Sequence, residues 1–305
     1  MLARRCSLFL AASIALAVIT FVPDQTLAQS QDSSAAQVAP SEKPATSMKF
    51  YCEVQGGISV PAGGGLSADF HDRDGIDAHL NGSWKNPTTQ GVSGKWGMNL
   101  GWWSHDDPAS FWGHLGGNFN FSYNQLDFQK GAGSFKATVT LTPQPGFSDE
   151  AVGAMSFASQ GELYSVAYLF NYREGVLPDH MAPFGRLQFY GGLGPALMIN
   201  TQQFTSVNFF ISNASGKPGN PVPVEQDFGS QKETSLGLMV QLGANYFLTK
   251  NVYMKVSFDY RYFQSSFDLT GDGITHDHRI SQSFGSELNY DNNLFGINLG
   301  AGFQF

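Results

Sequence analysis

Residues 292–305 read NNLFGINLGAGFQF, and this stretch decides the fold. From Phe295 on, its odd positions, Phe295, Ile297, Leu299, Ala301, Phe303 and Phe305, are all apolar. From Gly296 on, its even positions are Gly296, Asn298, Gly300, Gly302 and Gln304, all small or polar. Strict alternation is the period of a β-strand, whose successive side chains point to opposite faces. A strand that is apolar on one face, small or polar on the other, and aromatic at its end is the unit of a transmembrane β-barrel.

The composition agrees with long strands. The chain has 305 residues, of which 14% are charged and 42% hydrophobic, with 35 Gly and 26 Phe. Both are far above ordinary usage, and the pattern suits strands with one apolar and one crowded face rather than helices. The net charge of −8 argues against nucleic acid as a partner, because phosphate binding needs clustered Lys and Arg.

The amino terminus has the three parts of a secretory signal peptide. Arg4 and Arg5 form a basic start, residues 8–22 a short apolar run, and Thr26-Leu27-Ala28 a cleavage site. The expected organisation is therefore a signal peptide over 1–28, a flexible Ser/Ala/Gln/Pro leader over 29–46, and a barrel over 47–305. Of the two cysteines, Cys6 leaves with the signal, so Cys52 has no intramolecular partner and reads as a small hydrophobe.

Seven further alternating segments precede the closing one: residues 49–60, 92–104, 111–128, 161–173, 184–204, 234–248 and 252–269. With 292–305 they make eight strands, each long enough to cross a bilayer when tilted. The connectors alternate in length. Those at 104–110, 174–183 and 248–251 are short, and those at 61–91, 129–160, 205–233 and 270–291 are long. The sequence thus predicts an all-β fold, an eight-stranded antiparallel transmembrane β-barrel with short periplasmic turns and long extracellular loops. The segment SFKATVTL (134–141) also alternates and could pair with 151–158, either projecting above the membrane or extending the barrel to ten strands. Aromatic residues mark both interfaces: Trp102, Phe111, Tyr172, Tyr246, Phe303 and Phe305 near the periplasmic strand ends, and Tyr123, Tyr164, Tyr260 and Tyr262 near the outer ends.

The segments PFGRLQFYGGLGPAL, GANYFLTKNVYMKVSFDYRYF and GINLGAGFQF carry a resemblance to the small outer-membrane β-barrels of the OmpA, OmpX and opacity-protein type, over roughly residues 47–305. The resemblance implies the bacterial outer membrane, with outer-membrane lipid and lipopolysaccharide around a monomer. It also implies recognition of the C-terminal strand by the outer-membrane assembly machinery. It ends with strand eight, so it implies no peptidoglycan-binding periplasmic domain.

Parity puts Glu53, Gln55, Lys95, Asn99, His114, Asn118, Asn120, Arg186, Gln188, Gln241, Lys255, Asp259, Arg261 and Asn298 on the inner face. Eight strands leave a lumen only wide enough for side chains to fill. Glu53, Lys95, Arg186, Lys255, Asp259 and Arg261 are therefore expected to form a paired plug, with Asp259 between Lys255 and Arg261 and Glu53 near Lys95. Two expected loops are rich in Asp and His: DFHDRDGIDAH (69–79) and DLTGDGITHDH (268–278). Asp-x-Asp-Gly resembles the start of a calcium loop, but the closing Glu of that loop is missing. No G-x-S-x-G, H-E-x-x-H or Walker loop is present, and no cofactor or catalytic set is expected. The expected role is structural or interactional at the cell surface (envelope integrity, adhesion or lipopolysaccharide contact). A narrow porin and, further down, a lipid-modifying enzyme are the alternatives.

The tripartite amino terminus predicts cleavage after Ala28. Mass spectrometry of the membrane-extracted protein should find Gln29 at the amino terminus; a chain that retains the apolar run over 8–22 would contradict it.

Overall fold

The computed structural model describes residues 48–72, 76–85, 92–141, 148–177, 182, 184–212, 222–224, 230–274 and 281–305. The expected signal peptide (1–28) and leader (29–46) lie outside them. The strands are β1 (Lys49–Pro61), β2 (Gly64–Asp72), β3 (Ile76–Lys85), β4 (Ser93–Trp103), β5 (Leu115–Leu141), β6 (Ser148–Val176), β7 (Leu187–Ser212), β8 (Val222–Val224), β9 (Ser230–Phe247), β10 (Val252–Ile274) and β11 (Ser281–Gln304), with a 3-10 turn at Phe111–His114.

Eight of these strands form a closed antiparallel ring in the order β1, β4, β5, β6, β7, β9, β10, β11 and back to β1. The closure pairs the first and last strands, Cys52 with Phe303 and Ile58 with Ile297. Backbone bonds between Phe50 and Phe305, at 3.1 and 2.9 Å, finish the seam. Around the ring, burial alternates residue by residue. Leu299 is 68% exposed and Asn298 is 1% exposed. Phe295, Ile297, Leu242, Phe258, Phe170 and Trp96 lie on the outer face, while the inner face is mostly polar. An apolar belt outside a polar interior, with every strand paired on both sides, is a transmembrane β-barrel of the outer-membrane type.

The stretches expected as long loops are largely strand. A crossing needs about 9–11 residues, yet β5 has 27 and β6 has 29. SFKATVTL is the upper part of β5 and pairs with the upper part of β6, Ser134 with Ala154 and Thr140 with Ser148. It adds no strand to the membrane ring, so the ring stays at eight. The expected first loop contains the β2–β3 hairpin, which joins the wall between the upper parts of β11 and β5. The chain turns into this hairpin at Gly63, whose φ of +98° lies in the region that glycine adopts without strain. Above the membrane the wall is again eight strands, β10, β11, β2, β3, β5, β6, β7 and β8, with the hairpin in place of β1–β4 and β8 in place of β9. Among the described residues, this upper wall has a seam between β9 and β10. The β9–β10 ladder stops at Gly237–Phe263, although β9 stays paired to β7 as far as Ser230. Across the gap the Gln231 side chain donates to the Asp268 carbonyl.

The sequence ended these strands too early for a physical reason. The apolar outer stripe that marks a crossing stops where the outer face leaves the lipid, but the ladder is made by the backbone and continues without it.

The face assignment has a direct test. An arginine at a lipid-facing midplane position costs about 2–4 kcal/mol. Leu299→Arg should impair folding into bilayers far more than Asn298→Ser, read as the folded fraction on a heat-modifiable gel. Equal effects would mean the register is displaced by one residue.

Candidate functional site in the lumen

The lumen is built in layers. At the periplasmic end, Arg173 is fully buried between two aromatic rings, 4.5 Å from the centre of Trp103 and 3.8 Å from that of Phe184. Its Nε donates to the Gly113 carbonyl at 3.1 Å and its Nη2 to the His105 carbonyl at 2.9 Å, with Asp106 at 3.7 Å. One side chain on β6 thus holds both the β4–β5 connection and, through Phe184, the β6–β7 turn.

Above it lies the charged layer. Glu53, Lys95, Lys255, Asp259 and Arg261 are all at most 4% exposed. Asp259 receives Lys95 Nζ at 2.5 Å, Arg261 Nε at 3.0 Å and Asn298 Nδ2 at 2.5 Å. Glu53 receives Lys255, Tyr253 Oη at 2.7 Å and Asn99 Nδ2 at 2.6 Å. Arg261 Nη1 donates to Asn124 Oδ1 at 2.9 Å, and Asn124 donates to Ser59. Each buried carboxylate has at least three donors, which is what charge in a low-dielectric interior requires.

The pairing differs from the sequence expectation. Lys95 meets Asp259 rather than Glu53, and Lys255 meets Glu53 rather than Asp259. The stagger of a tilted barrel explains it. Glu53 is level with Asn99 on β4, whereas Lys95 lies four residues farther out, opposite Gly57. The small inner face of β11 then lets side chains of β4 and β10 meet across it. A Cβ on Gly296 would stand 2.7 Å from Asp259 Oδ2, so glycine there makes room for the carboxylate.

Arg186 is held by a turn rather than a strand. It lies in the turn just before β7, half-buried, with its amide bonded to the Leu177 carbonyl at 3.0 Å. The strand begins at Leu187, one residue later, while Arg173 on β6 is fully buried in the periplasmic lumen. His114 sits in the 3-10 turn, its ring stacked on Tyr172 and its Nδ1 2.8 Å from the Arg173 carbonyl.

Just beyond the charged layer comes an apolar one. Leu126, Leu163, Met198, Met239, Phe263 and Leu294 are each at most 1% exposed. Met239 and Leu294 are the ladder partners of Arg261 on its two sides. Farther out the interior is polar again, with Asn200, Ser265, Asn292 and Gln202 joined by bonds of 3.0–3.1 Å.

Of the periplasmic aromatic residues, Tyr172, Tyr246, Phe303 and Phe305 are 44, 45, 43 and 63% exposed, and Trp102 is half-exposed. Phe111 is 66% exposed but belongs to the 3-10 turn rather than to a strand. On the outer side, Tyr123 and Tyr164 both donate to Glu162, at 3.1 and 3.0 Å, and Tyr262 donates to Asp291 at 3.2 Å. The expected acidic loops are mostly strand. Asp69, His71 and Asp72 lie on β2, Asp77 and His79 on β3, and Asp268 and Asp272 on β10. Asp74, His276, Asp277 and His278 lie outside the described residues.

No protein-family model matches the sequence, and no curated protein matches it. Among solved structures, the chain is similar to the outer membrane protein OprG from Pseudomonas aeruginosa, with 14% identity and a TM-score of 0.36, covering 85% of this chain and 97% of that one. It is similar to Neisserial surface protein A, with 14% identity and a TM-score of 0.34, covering 84% and 97%. It is also similar to Ail, the attachment invasion locus protein of Yersinia pestis, with 12% identity and a TM-score of 0.30, covering 83% and 99%. These likenesses bring no residue roles with them, and the barrel assignment stands on the closed ladder and the apolar belt described above.

Proposed function

We propose that this protein is a monomeric outer-membrane barrel with a structural or interactional role at the cell surface, rather than a route for solutes. One observation supports the reading: among the described residues, charged and apolar side chains of the lumen are buried together, Glu53, Lys95, Lys255, Asp259 and Arg261 at most 4% exposed. A five-charge network bridges β1, β4 and β10, and six buried apolar side chains follow it directly. An ion moving through would have to break paired charges and then cross an apolar layer without water. The wall above the membrane is, by contrast, large. With about 9–11 residues needed to cross, well over half of β6 is left to stand beyond the bilayer. That tall polar wall, among lipopolysaccharide sugars, is where adhesion, envelope contacts or lipopolysaccharide binding would take place.

Planar-bilayer recording of the refolded protein tests this reading, and no sizeable steady conductance is expected. A lipid-modification assay run beside it should leave lipid A unchanged. Large wild-type channels would favour the porin, and altered lipid A would favour an enzyme.

Asp259→Ala should strip Lys95 and Arg261 of their shared carboxylate. Breaking a buried pair this way costs about 3–5 kcal/mol. The heat-induced gel shift should therefore move to clearly lower temperature. A variant with wild-type stability but altered ion selectivity would overturn the plugged lumen.

A further inference from the structure

The β2–β3 hairpin repeats one triplet, Asp-x-His, in both of its strands: Asp69-Phe70-His71 and Asp77-Ala78-His79. The register sets the two triplets against each other, Asp69 opposite His79 and His71 opposite Asp77. Residues two apart on a strand share a face, and so do direct cross-strand partners. These four residues therefore occupy four adjacent positions on one face of the hairpin. Their β-carbons are spaced about 4.5–5.5 Å across the strands and about 7 Å along them. The alternate positions, Ala68, Phe70, Ala78 and Leu80, are all apolar. The two faces are thus chemically distinct, and the polar one carries metal-ligating residue types at all four central positions.

From this juxtaposition we propose that the β2–β3 hairpin binds one divalent transition-metal ion of the zinc class, through Asp69, His71, Asp77 and His79. Two imidazoles and two carboxylates are a donor set that zinc accepts in tetrahedral geometry, with bonds of about 2 Å. Calcium and magnesium are disfavoured, because they take oxygen ligands and half of this set is nitrogen. A second observation points the same way. Asp69 is also the ladder partner of Glu287 on β11, and Glu287 that of Asp268 on β10. Glu287 and Asp268 are exposed, and Glu287 accepts from Ser266 at 3.1 Å and from Asn289 at 3.2 Å. The row Asp268, Glu287, Asp69, His79 therefore runs across four strands with three carboxylates, which attract a cation to the imidazole. The ion would cross-link the two strands of the hairpin that replaces β1–β4 in the upper wall. This inference does not depend on whether the lumen conducts.

The test uses the full barrel, refolded in detergent, stripped with chelator and dialysed, with Zn²⁺ alone as the probe. One bound ion per chain is expected, and Co²⁺ in its place should give the intense visible absorbance of a tetrahedral site. His71→Ala with His79→Ala should abolish uptake. Asp77→Asn, which removes charge and keeps size, should weaken it while the heat-induced gel shift of the barrel stays at the wild-type temperature. His276→Ala with His278→Ala should retain it. The proposal is overturned if the wild type takes up no ion, if uptake survives loss of His71 and His79, or if it is lost with His276 and His278.

Discussion

A strand in lipid has no water to satisfy its amides and carbonyls, and the whole molecule follows from that constraint. Each strand of the ring must be paired on both edges, so the first strand must meet the last. Cys52–Phe303 and the Phe50–Phe305 bonds are the places where this requirement is met. Once the ring is closed, the pleat allots every other side chain to lipid and every other one to the lumen. The belt and the interior are thus two consequences of one backbone arrangement.

Closure at eight strands fixes the interior width, and the width sets the chemistry inside. There is room for side chains but little for bulk water. Charges that enter must be matched, and Glu53 and Asp259 each collect three donors. The glycines of β11 belong to the same solution. They hold the wall thin where Lys95, Lys255, Asp259 and Glu53 extend, so the network spans strands that are not neighbours. Arg173 does comparable work at the periplasmic end, where the rings of Trp103 and Phe184 and the backbone carbonyls of the turns take the place of an ion-pair lattice.

Much of this was legible in the sequence, because period-two patterning is local. Leu299 outward and Asn298 inward can be read from alternation alone, as can the burial of Lys95, Lys255 and Asp259. Who pairs with whom was not legible. It depends on stagger between strands, a property of the closed ring, and so parity alone does not show that Lys95 meets Asp259 rather than Glu53. Arg186 lies one residue before β7 begins, where strand parity alone assigns no face. The upper wall reads as loop because, as in Ala68-Asp69-Phe70-His71, one set of its alternate positions is polar, and it lacks the two-face pattern of an apolar outside over a small or polar inside that marks a membrane crossing. The Asp/His pattern of 69–79 was visible from the start, but only the register of β2 on β3 turns it from an acidic loop into a four-residue set.

The closing seam between β1 and β11 also governs how this chain can become a barrel. Its two strands are the most distant in sequence, so their pairing carries the largest chain-entropy cost and contributes nothing until both are complete. Until then the molecule is an open sheet with two bare edges and an apolar face, the state most prone to stick to its neighbours. Folding is thereby all-or-none at its final step. The aromatic pair Phe50 and Phe305, stacked at 6.3 Å where the ends meet, acts as the clasp, and a nascent chain without β11 has nothing to fasten.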